Sequence, residues 1–109
     1  MTSDQGRSLW LHRAAAAHVV RDPELTLAEA RRRAQSAIDA GNSGARWFTG
    51  WLAAIDRGPE DVLRRMTSTD PEARELRQNS PFLFLLTDQE RRSILEAFAR
   101  VHRRRDATR

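Results

Sequence analysis

The three histidines, His12, His18 and His102, are the residues of this chain best suited to moving a proton or holding a metal near neutral pH. Their spacing argues against both roles. His12 and His18 do not stand one helical turn apart, and His102 is distant along the chain, so no helical i,i+4 ligand pair exists. Each reads instead as an exposed helix residue. There is no cysteine, which excludes thiolate zinc sites, cysteine nucleophiles and disulfides. The carboxylates Glu60/Asp61 and Glu72/Glu75 fall at expected helix starts, where the helix dipole favours anions without any catalytic duty. No H-E-x-x-H, G-x-S-x-G or P-loop string is present. The expectation is a chain that is not an enzyme, with no catalytic residues, no metal and no cofactor.

Arginine is the other residue with chemical reach. All 19 basic residues are Arg, whose planar fork pairs with carboxylate and phosphate. The net charge of +4 is unevenly placed: residues 91–109 hold seven Arg against Glu96 and Asp106, while residues 1–90 hold twelve against thirteen acids. Arg31, Arg32 and Arg33 lie within an expected helix near Glu24 and Glu29 and read as a solvated face. Arg100, Arg103, Arg104 and Arg105 sit in the last turns of another, as candidate contacts to nucleic acid or an acidic partner. A helix-turn-helix through "GNSG" is disfavoured. Its reading helix would present Trp47, Phe48, Trp51 and Leu52, leaving Arg46 and Thr49 as base contacts.

The elements that position these residues are helical. No alternating β-branched run occurs, and 109 residues suffice for one domain. The first helix is expected over Arg7–Arg21, with Leu9, Ala16 and Val20 on its inner stripe. Asp22-Pro23 breaks the chain, and Thr26 with Glu29 forms a capping-box pattern for the second helix, whose inner face carries Leu27, Ala30, Ala34, Ala37 and Ile38. Gly41 reads as its C-terminal stop. A third helix over Ala45–Arg57 has the most apolar face, with Trp47, Phe48, Trp51, Leu52 and Ile55. Gly58-Pro59 and Asp70-Pro71 start two short helices, and Thr87 with Glu90 caps the last. The fold expected is an all-α single domain over 1–109. It has five to six short helices in an antiparallel bundle or orthogonal array, a frayed start over about 1–6 and a basic tail over about 103–109. The N-terminal residues lack a basic segment followed by a long apolar core, so no secretion leader or membrane span is expected and a cytoplasmic location is.

One stretch departs from this pattern. "RQNSPFLFLL", residues 77–86, sets five apolar side chains after a proline in a chain of mean hydropathy −0.68. In extended or 3₁₀ form the run points its side chains several ways, and surface left over would mark a partner site.

The segment over residues 67–98, "TSTDPEARELRQNSPFLFLLTDQERRSILEAF", resembles small helical proteins of bacterial toxin–antitoxin pairs. The features carrying the resemblance are "EAR-LRQ-SPF", the short apolar run ending in Leu, and an "ER" helix start with an Ile–Phe stripe; the opening "SLWLHRAAAAHVVRDP" is also similar. It covers about two-thirds of the chain. Leu83 and Phe84 stand where small residues are expected, and Arg92 where an aromatic is. Members are typically encoded beside nucleotidyltransferase-fold toxins of the AbiEii kind, which are associated with adding nucleotides to tRNA acceptor ends. The resemblance implies an antitoxin that neutralises such a toxin by direct binding. The partner contacts expected here are Trp10, Phe82, Leu83 and Phe84 as apolar anchors, with Arg77, Arg91 and Arg92. The alternative is a nucleic-acid-binding transcriptional regulator that uses the basic C-terminal helix. A homodimer through the aromatic surface is a third reading.

Overall fold

Most helix starts are set by proline or by a side-chain cap. The order is α1 (Ser3–Arg21), α2 (Pro23–Asp39), α3 (Ala45–Arg57), α4 (Pro59–Thr67), α5 (Pro71–Leu76), a 3₁₀ turn (Leu83–Leu85) and α6 (Asp88–Ala107). A computed structural model describes the backbone of residues 2–107 and the side chains of residues 2–104. Among the described residues there is no strand, and the fold is all-α with six helices, as expected. None of those helices is long and apolar enough to cross a membrane. Prolines 23, 59 and 71 occupy first-turn positions, where their missing N–H leaves no intrahelical bond unmade. The Asp22 and Asp70 carboxylates accept from the N–H groups of Leu25 and Ala73 at 3.3 and 2.9 Å. Thr87 and Glu90 form the reciprocal cap of α6, with bonds of 3.0 and 2.9 Å.

Three boundaries differ from expectation. α1 begins at Ser3 because Thr2 and Gln5 form a capping box, so residues 3–6, expected to fray, are helical. α2 begins at Pro23 rather than Thr26. The Thr26 hydroxyl donates to the Asp22 carbonyl at 2.7 Å instead of capping, and Glu29 pairs with Arg32 and Arg33. α6 continues through Ala107, so helix replaces the first part of the expected tail.

Trp51 organises the core. It is fully buried on α3, and its indole N–H donates to the Leu76 carbonyl at 2.8 Å, which fixes the end of α5. The Phe82 ring meets it edge-on at 5.1 Å, and the His12 ring stacks parallel at 6.3 Å. The buried side of α1 is Leu9, Leu11, His12, Ala15, Ala16 and Val19; Val20, expected inside, is 66% exposed. The inner stripe therefore runs through His12, and the reading of His12 as an exposed residue is corrected. Small residues at Ala15 on α1 and Ala30 and Ala34 on α2 allow close packing in the layer over α3. α1 packs against α4, α2, the 3₁₀ turn and α6, whereas α3 packs against α2, α4 and α5. Gly58 turns α3 into α4 with a single intervening residue, at a φ of 117° that a side chain would strain.

Candidate functional site

α6 has α1 as its main neighbour, and the seam between them leaves apolar surface open. Its deepest point is Phe98, 4% exposed, which meets the Trp10 ring edge-on at 5.3 Å. Gly6 permits this approach: a Cβ there would lie 3.1 Å from the Phe98 ring. The His102 ring lies 3.8 Å from Phe98 on its own helix, and the Arg7 guanidinium stands 6.0 Å above the ring. One layer outward, Trp10 and Arg13 of α1 face Ser93, Ile94 and Ala97 of α6 across a shallow groove of about 480 Å³. Trp10 is half-buried, so part of its indole lines the open side. A second depression of about 350 Å³ shares Ser93 and Ile94 and runs on to Thr87, Gln89 and Glu90.

The polar end of this seam is ordered by charge. His18 Nε2 lies 2.9 Å from the Glu90 carboxylate, which ties α1 to the first turn of α6. The Thr87 N–H, followed by His18, holds the Glu90 carboxyl below the ordinary carboxylate range. Arg13 forms no ion pair among the described residues, so it brings uncompensated positive charge to an otherwise apolar lining. An apolar floor, an aromatic wall and a cationic rim suit the burial of a partner's side chains.

The expected contact residues separate into three groups. Phe82 is wholly buried and Arg77 is 2% exposed, so neither offers a surface; both hold the end of α5 against the core. Ser8 Oγ donates to the Arg77 carbonyl at 3.2 Å and Arg77 Nη1 donates to the Arg65 carbonyl at 2.9 Å. Leu83 and Phe84 are half-buried. The Arg33 guanidinium covers the Phe84 ring at 4.2 Å, above a hollow of about 200 Å³ lined by Phe48, Ser80 and Pro81. Arg91 turns inward and donates to the Leu83 carbonyl at 3.2 Å, clasping the 3₁₀ turn to α6. Arg92, Arg100, Arg103 and Arg104 are exposed on α6, and the Arg105 side chain lies outside the described residues. Trp10 is the expected anchor that borders the groove.

A hollow of about 490 Å³ on α2 is lined by Ala28, Arg31, Arg32, Gln35, Ser36 and Asp39. All six come from one helix, and its cations are engaged: Arg31 with Asp56, and Arg32 with Glu29. It is a gap between surface side chains, and no second element converges on it. Among the described residues, no group of three or more acids and histidines is placed to hold a metal ion. Compared with known protein families, curated proteins and solved structures, the chain matches none.

Proposed function

We propose that this chain is a non-enzymatic protein-binding module, an antitoxin that neutralises a nucleotidyltransferase-like toxin by direct contact through the α1–α6 groove. The groove itself is the observation that supports a binding role: Trp10, Ile94 and Ala97 keep apolar surface open beside Arg13, a cation with no ion pair among the described residues. The partner's identity comes from the sequence resemblance alone. A toxin of that class needs carboxylates to hold its metal ions, and an Arg-rimmed apolar surface complements such a patch. The "LRQNSPF" motif contributes to this function indirectly. Its Arg77 and Phe82 are interior residues, and the Arg77 carbonyl accepts from Ser8 of α1, one of the two helices that frame the groove.

Co-expression with a cognate nucleotidyltransferase-fold toxin should restore growth, and the two chains should elute as one complex. Trp10→Ala should abolish both effects while leaving the helical circular dichroism intact. Neutralisation and complex formation undiminished in Trp10→Ala would place the contact elsewhere. Failure of the unaltered chain to bind or rescue would remove the antitoxin reading.

The competing regulator reading draws on the exposed Arg100, Arg103 and Arg104 near the end of α6. It requires affinity for duplex DNA that falls steeply with salt and is lost in Arg103→Gln with Arg104→Gln. Weak binding that varies little with salt would dismiss it.

A further inference from the structure

The face of α6 that borders the groove carries a charge pattern complementary to itself. Positions at 3–4 spacing through the groove residues Ser93 and Ala97 run back to Glu90 and on to Arg100. Ser93 and Ala97 stand equally far from the midpoint of this line, and so do Glu90 and Arg100. One end is therefore acidic, the other basic, and the centre holds small uncharged side chains. The exposed Arg92, Glu96 and Arg103 follow a separate line at the same spacing, so they leave the pattern unchanged.

Both charged ends are open. One oxygen of Glu90 faces His18 and the other accepts from the Thr87 N–H. Its side chain is still 38% exposed and borders the depression that adjoins the groove. Arg100 is exposed and forms no ion pair among the described residues. A second copy laid antiparallel across the midpoint sets each acidic end against a basic end, twice by symmetry; parallel placement sets like charges together. A two-fold pair uses one patch on both copies, which is the match this face offers. Apolar contact comes from the groove, where Trp10 is half-buried and keeps indole surface beside Ile94 and Ala97. Arg13, exposed on the rim, keeps its charge in water. The two charged ends are about 15 Å apart along α6, so the contact falls short of the roughly 800 Å² per partner of a standard interface, and the pair is transient.

We infer that the α1–α6 groove takes a second copy of this chain. The two α6 helices pair antiparallel about an axis near Ser93 and Ala97, each Glu90 end facing the other copy's Arg100 end, with Trp10 closing the side of each contact. The pairing does not rest on the antitoxin reading; under that reading, a toxin and a second copy compete for one surface.

Sedimentation equilibrium of the whole chain from about 1 µM to about 1 mM should show a mass rising from 12.5 kDa toward twice that value. Ser93→Arg, at an exposed position, puts two cations at the axis and should abolish the rise while leaving the circular dichroism unchanged. Glu90→Gln, which retains a capping side chain, and Arg100→Glu should each weaken association about tenfold at low salt, and less as salt is added. Together they should cost less than the sum, because the like-charge contact made by Arg100→Glu alone is relieved. The inference is overturned if the mass stays at 12.5 kDa throughout, or if it rises equally in Ser93→Arg. It is also overturned if only Leu25→Ser, which removes a 69% exposed side chain on α2, prevents the rise. A monomeric chain that still neutralises a toxin would remove the pairing and leave the antitoxin reading standing.

Discussion

Acidification to pH 5 should destabilise this domain through one residue, His12. The imidazole is fully buried against Trp51; its Nδ1 lies 2.7 Å from the Ser8 carbonyl, and its Nε2 has no hydrogen-bond partner among the described residues. The neutral ring therefore donates from Nδ1, and a proton on Nε2 would place a charge in the core with nothing to receive it. Burial first, with Arg77 assisting and the Ser8 carbonyl opposing, lowers the pKa from 6.5 to about 4. The unfolded chain thus binds this proton before the folded one. Stability from the neutral ring is complete above pH 6.5, falls as pH drops from there to about 4, and declines no further below. At about 1.4 kcal/mol per unit of pH, the loss is about 2 kcal/mol by pH 5 and about 3 kcal/mol by pH 4. Against a typical domain stability of about 5–15 kcal/mol this is a large effect. The choice of pH 5 isolates it. Glu29, with a pKa lowered to about 2 by Arg32, and the depressed Asp61, Asp70 and Glu90 lose their contributions only at lower pH. Urea unfolding followed by tryptophan fluorescence at pH 7.5 and pH 5 should show the loss in the wild type and not in His12→Leu. Packing changes in the variant shift both pH values together, so the difference between slopes reports the proton. Parallel slopes, or an NMR titration of His12 near 6.5, would refute the reasoning.

Two other substitutions probe the packing. Phe82→Ala empties the space beside Trp51 and should cost about 3–5 kcal/mol in urea unfolding, whereas Arg92→Ala on exposed α6 should stay within about 0.5 kcal/mol; comparable losses at both would contradict the burial assignments. Gly6→Leu drives a side chain into the Phe98 ring and should accelerate amide exchange in α6 well beyond that in α3, as read by mass spectrometry.

Helix starts were legible because they are written locally. Gly58-Pro59, Asp70-Pro71 and the Thr87–Glu90 cap each specify their own backbone turn, and each stands where the sequence indicates, whereas α2 starts at Pro23 and not at the expected Thr26. Thr26 misled because its hydroxyl has two available acceptors, and Asp22 already occupies the capping position. Residue type points His12 outward, although its place between Leu9 and Ala16 follows the 3–4 spacing of a buried stripe. Arg77 had no comparable signal. An arginine in an acidic, charged segment gives no hint that three helices will close over it, because that depends on contacts distant along the chain. The groove is only half legible: Trp10 is an expected anchor, but its facing residues Ser93, Ile94 and Ala97 come together only through the docking of α6.

That docking has a thermodynamic consequence. α6 spans about 30 Å, yet it is held mainly by one seam on α1 and by the Arg91 clasp on the 3₁₀ turn. Its detachment should cost less than global unfolding, so docked and detached forms exchange within the native state. Any ligand of the groove touches both helices and binds only the docked form. Its measured affinity then equals the intrinsic one multiplied by the docked fraction, and a substitution at Gly6, which does not line the groove, tunes binding through that fraction.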